Sequence, residues 1–77
     1  MRVFKISGAA IGGMKMIKSG ATTVSEFASD LSNEKGIELD FDEMSVSING
    51  STVSEEDSIP PAQAYIVEVS EKNPDLG

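Results

Sequence analysis

Cysteine and histidine are both absent from this chain. Without cysteine there is no disulfide framework and no thiolate metal site. Without histidine, the usual transition-metal ligand, proton shuttle and triad base are missing together. Tryptophan is also absent, and the aromatic set is three phenylalanines and one tyrosine. No apolar run approaches the roughly 20 residues of a membrane span, and nothing resembles a signal peptide. The expected setting is therefore the cytoplasm. Basic residues are scarce, at six against 13 acids. They are also segregated, because Arg2, Lys5, Lys15 and Lys18 precede any acid and all the acids lie from Glu26 onward. An acidic excess argues against direct nucleic-acid binding, whose affinity comes from neutralising phosphates. It favours solubility and suits a basic partner.

At 77 residues the chain makes one small domain, which buries only about 60% of its unfolded surface. A single amphipathic helix is predicted between Gly20 and Gly36. Thr23 and Glu26 form a capping box, and Val24, Phe27, Ala28 and Leu31 fall on one stripe. Gly36 provides the left-handed stop, with Lys35 near the negative end of the dipole.

Strand-like sequence surrounds the helix. Met1 or Arg2 to Ser7 alternates, with Phe4 and Ile6 on one face and Arg2 and Lys5 turned elsewhere. Gly8 to Gly13, GAAIGG, is too glycine-rich for a regular element and joins a second strand, Met14 to Ser19, in a hairpin. The run from Ile37 to Glu43 alternates apolar and acidic residues and is expected to form an extended connector pinning Ile37, Leu39 and Phe41 under the helix. Met44 to Ile48 is a strand, and Asn49-Gly50 is a tight-hairpin signal leading to Ser51–Val53. Pro60 and Pro61 hold their segment extended. Ala64 to Ser70 is the last strand, with Tyr65, Val67 and Val69 on one face and Ile66 on the other. Such a strand is expected near the centre of its sheet. Residues 1–72 are read as the domain and 73–77 as a flexible tail. The predicted class is α+β.

The candidate sites are surfaces. GAAIGG lacks the Lys-Ser/Thr of a phosphate loop and precedes a strand. Ile11 is expected exposed at its tip, and with Lys5, Lys15 and Lys18 it makes one candidate partner-binding face. Asp40, Asp42 and Glu43 make a second. The acids of this stretch lack calcium-loop spacing, so no metal is expected. Activated nucleophiles need an adjacent base, and the serines have no histidine to serve them. The expectation is a non-enzymatic module, without cofactor, that binds another protein. A further reading makes the acids at Glu38–Glu43 and Glu55–Asp57 a mimic of nucleic acid that binds a basic protein.

Two motifs add a family resemblance. Gly20-Ala21-Thr22-Thr23-Val24, followed by Phe27 and Leu31, is similar to the helix start of the small sulfur-carrier proteins of thiamine and molybdopterin biosynthesis. Val46-Ser47-Ile48-Asn49-Gly50, followed by Val53, resembles their strand-and-turn. The order of elements likewise resembles the ubiquitin-like β-grasp fold, ββαββ, with one helix across a mixed sheet and the first and last strands parallel at its middle. The resemblance covers about residues 20–69 and implies carrier chemistry at the terminal carboxylate of Gly77, with an adenylating enzyme as partner. The chain departs from the family in ending Asp75-Leu76-Gly77, with one glycine where those carriers have a pair. Pro60-Pro61-Ala62-Gln63 also stands where they have a Gly-Asp turn.

Overall fold

A computed structural model of the chain describes residues 1–72. One helix packs on a five-stranded mixed sheet, so the class is α+β. The strands are β1 (Arg2–Ser7), β2 (Lys15–Ser19), β3 (Met44–Ile48), β4 (Ser51–Val53) and β5 (Ala64–Glu71), and the helix α1 is Val24–Lys35. The sheet order is β2-β1-β5-β3-β4. The central pair β1 and β5 is parallel, and the other three pairings are antiparallel. The first strand and the last therefore meet at the middle, β1 flanked by its hairpin partner β2 and β5 by the β3–β4 hairpin. The predicted tail, 73–77, lies outside the described residues.

The helix starts where local chemistry dictates. Thr23 is the cap, its hydroxyl accepting from the Glu26 N–H at 3.2 Å. Glu26 reaches back one residue beyond the cap, accepting from the Thr22 N–H at 2.9 Å and the Thr22 hydroxyl at 3.2 Å. Those bonds, with the backbone donor first, hold the Glu26 carboxyl below its usual range. The Val24 N–H donates to the Asp57 carbonyl and the Ile59 N–H to the Thr22 carbonyl, both at 2.9 Å. The helix start is thus tied to the segment leading into β5. Gly36, at φ 69°, ends the helix in the left-handed conformation.

One layer of side chains fills the space between helix and sheet. Phe4 lies between Phe27 and Tyr65, with ring centroids 4.5 and 4.6 Å apart. Ile6, Ile17, Val24, Leu31, Val46, Val67 and Val69 are buried around them, and Ile11, Ala21, Ile48 and Ile59 complete the buried set. The Tyr65 hydroxyl donates to the Pro60 carbonyl, which gives the one polar atom of the aromatic layer a partner. Ile37, Leu39 and Phe41 are half-buried against this core, as the alternation of the connector predicts. Arg2 differs from expectation. It shares the inner face with Phe4 and Ile6, its guanidinium 5.8 Å from the Tyr65 ring centroid and donating to the Ala21 carbonyl.

The two hairpins close differently. Asn49 (φ 52°) and Gly50 (φ 88°) turn β3 into β4 with both residues at positive φ, as that dipeptide predicts. The GAAIGG segment contains a regular element after all, a 3₁₀ turn over Ala9–Ile11. Its glycines have a steric cause at one end. Gly8 lies at φ 139°, where an added Cβ would fall 1.9 Å from the Val69 carbonyl oxygen.

Candidate functional site

Because strand side chains alternate, the same strands that build the core also build an outer face opposite the helix. Register brings its residues into rows. Lys5 stands between Met16 of β2 and Ile66 of β5. In the adjacent row Val3 stands between Lys18 and Ala64. Met16 is 52% exposed and Ile66 50% exposed, so two large apolar side chains flank a lysine in the open. Met14, 68% exposed, lies just before β2. Farther across the face, Ser7, Glu68, Ser47 and Thr52 form a polar row. The outer face is therefore apolar and basic over β2, β1 and the start of β5, and hydroxyl-rich with one acid beyond.

This arrangement redistributes the residues expected on the basic hairpin. Lys5 and Lys18 share the outer face. Lys15 does not, because it pairs with the core residue Ile6 and shares the phase of Ile17. Ile11 is 8% exposed and belongs to the core. The expectation that it stands exposed at a loop tip is corrected here. The 3₁₀ turn, closed by hydrogen bonds from the Ile11 N–H to the Gly8 carbonyl and from the Gly12 N–H to the Ala9 carbonyl, turns that side chain inward. Met16 and Ile66 are not among the candidates that the sequence singles out. Their signal is apolar character out of phase with Ile17 and with Tyr65 and Val67.

The acidic candidates fall on the connector between α1 and β3. Asp40 spends its polar atoms on the turn. Its carboxylate accepts from the Asp42 N–H at 3.0 Å, and its carbonyl accepts from the N–H groups of Glu43 and Met44. The backbone of Glu43 is tied to the residue just after β5, accepting from the Lys72 N–H at 2.9 Å. The side chains of Asp42 and Glu43 are exposed. Glu38, Asp40, Asp42 and Glu55 line one shallow groove with Leu39 and Phe41, so acids distant in the sequence meet there. Among the described residues, no group of three or more carboxylates is placed to hold a metal ion.

An open groove of about 500 Å³ runs between the β3–β4 hairpin and Pro60-Pro61, lined by Ile48, Val53, Asp57 and Tyr65 among others. Its one charged residue, Asp57, is engaged in structure. The Asp57 carboxylate accepts from the Ser54 N–H at 2.8 Å, and the Asp57 carbonyl accepts from Val24. Among the described residues, no helix is long and apolar enough to cross a membrane. Gly77, the carrier candidate, lies outside them. No protein-family model matches the chain, and no curated protein is significantly similar to it in sequence.

Proposed function

We propose that this chain is a ubiquitin-like β-grasp module without catalytic activity, and that it docks another protein through the outer face of its sheet. The observation that carries the proposal is the cross-strand row Met16–Lys5–Ile66, with Lys18 and Val3 beside it. Strand order β2-β1-β5-β3-β4 with a parallel central pair supports the β-grasp reading. A parallel first and last strand at the middle of the sheet is what the resemblance in element order implies. Apolar side chains supply contact area at the centre of such a patch, while lysines set orientation and association rate. A partner with an apolar centre and an acidic rim fits this surface. The neighbouring hydroxyl row would form the polar margin.

The test is comparative capture from an extract of the native host, with bound proteins identified by mass spectrometry. Wild type, Lys5→Glu/Lys18→Glu and Lys15→Glu are run side by side. A protein retained by wild type and by Lys15→Glu, and lost with the outer-face pair, is the expected result. Retention by all three would remove the outer face. An adenylating enzyme among the lost proteins would point to the carrier branch of the resemblance.

A further inference from the structure

The chain's three asparagines have different C-terminal neighbours: Asn33 precedes Glu34, Asn73 precedes Pro74 and Asn49 precedes Gly50. A glycine in that position leaves its backbone nitrogen without a side chain to shield it, which suits that nitrogen to attack the asparagine side-chain carbonyl. In the folded chain that carbonyl is engaged elsewhere. Asn49 Oδ1 accepts from the Ile66 N–H at 2.8 Å, and Asn49 Nδ2 donates to the Ala64 carbonyl at 3.5 Å. The Asn49 N–H also donates to the Ile66 carbonyl at 2.8 Å. Asn49 therefore continues the β3–β5 ladder past its last pair, Ile48 with Val67, using its side chain as a stretch of strand. Both ends of the amide face β5.

We propose that Asn49 is a deamidation site gated by local opening of the β3–β4 hairpin away from β5. In the closed state the amide is held on Ala64 and Ile66. On opening, the Gly50 nitrogen gives its proton to solvent base and bonds to Asn49 Cγ. The C–N bond of the side-chain amide breaks and ammonia leaves, closing a five-membered imide. Water then opens the ring at either carbonyl, leaving aspartate or isoaspartate at position 49. Water is the only co-reactant, and no oxidant or reductant is involved.

The product cannot restore the clamp. An aspartate has no donor for the Ala64 carbonyl, and an isoaspartate adds a methylene to the main chain inside a two-residue turn whose geometry fixes the register. Ala64 and Ile66 both carry side chains on the outer face, so the modification acts on the edge of that surface. Val53 offers a handle on the opening. It pairs with Val46, is half-buried against the core and belongs to the three-residue strand β4.

The experiment tracks conversion at each asparagine by peptide mass spectrometry, using the full chain in mildly alkaline buffer. Native and urea-unfolded samples are compared, with hydrogen exchange of the Ile66 N–H measured in parallel. Conversion at Asn49 is expected in the unfolded chain, with Asn33 slower. In the native chain it is expected to be slower by about tenfold or more, in proportion to the fraction of time the hairpin is open. Val53→Ala should speed native conversion by the same factor as it speeds Ile66 exchange. Equal rates in native and unfolded samples, or no conversion at Asn49 when unfolded, would overturn the proposal. So would a Val53→Ala chain in which exchange accelerates and conversion does not. Should that variant fail to fold, the wild-type comparison between native and unfolded samples still decides.

Discussion

Neighbouring residues on β1 and β5 meet opposite environments, because one face of the sheet is closed by the helix and the other is open. Phe4 is stacked between two aromatic rings, whereas Lys5 next to it stands exposed between Met16 and Ile66. Tyr65 is buried with its hydroxyl bonded, and Ile66 is half exposed. On the inner face the large apolar side chains pack on one another, so their identity is explained by stability. On the outer face the combination of large apolar side chains and lysines does little for the fold. The difference locates what the molecule holds together with and what it presents.

That comparison can be tested first where the effect is largest. Phe27→Ala should destabilise the chain by about 3–5 kcal/mol, since it removes one ring of the aromatic layer and leaves a cavity. Ile66→Ala, on the outer face, should cost under about 1 kcal/mol. Urea unfolding midpoints of the two variants measure the gap, and similar losses would erase the distinction between the faces. Gly8→Ala comes next, at about 2 kcal/mol, because the added methyl collides with the Val69 carbonyl at the end of the parallel pair. Thermal unfolding reads that loss, and a wild-type transition would show that β1 and β5 do not approach so closely. Thr23→Ala should cost about 1 kcal/mol through the lost cap, measured the same way.

The smallest effect is a change of shape with pH. The Glu26 carboxyl is held below its ordinary value by the hydrogen bonds from Thr22. A carboxyl depressed on folding adds stability in full above its unfolded value and loses it as pH falls through the folded one. Glu26→Gln should therefore flatten the acid limb below the ordinary glutamate range while leaving other groups' contributions in place. Urea midpoints taken across the acid range check this, and an unaltered limb would mean the bonds to Thr22 do not favour the charged form.

Those parts of the fold that rest on contacts between near neighbours were legible in the sequence. Thr23, Glu26 and Gly36 bound the helix by hydrogen bonds spanning a few residues, and Asn49-Gly50 needs only its own φ values. Phe4, Ile6 and the Tyr65, Val67, Val69 set were legible for the same reason, since alternation names a face. The hidden parts depend on chain from far away. Gly8 is constrained by Val69 of a strand that begins at Ala64, and Ile11 is buried because the 3₁₀ turn packs onto the same core. β2 was ambiguous in a further way. Met14, Met16 and Lys18 form one phase and Lys15, Ile17 and Ser19 the other, and both contain apolar residues. Pairing of Phe4 with Ile17 decides between them and sends Lys15 and Lys18 to opposite faces. The candidate surface was therefore half visible, with its lysines named and its apolar members missed.

The most direct test of the central claim sets binding against folding in a single variant. For the protein captured by wild type, affinity is measured with Lys5→Glu/Lys18→Glu alongside the unfolding midpoint of the same sample. The account predicts an affinity loss of about tenfold or more, the scale expected when two charges are reversed within an interface, with the midpoint unchanged. Undiminished affinity, or a loss that appears only together with a lowered midpoint, would contradict it.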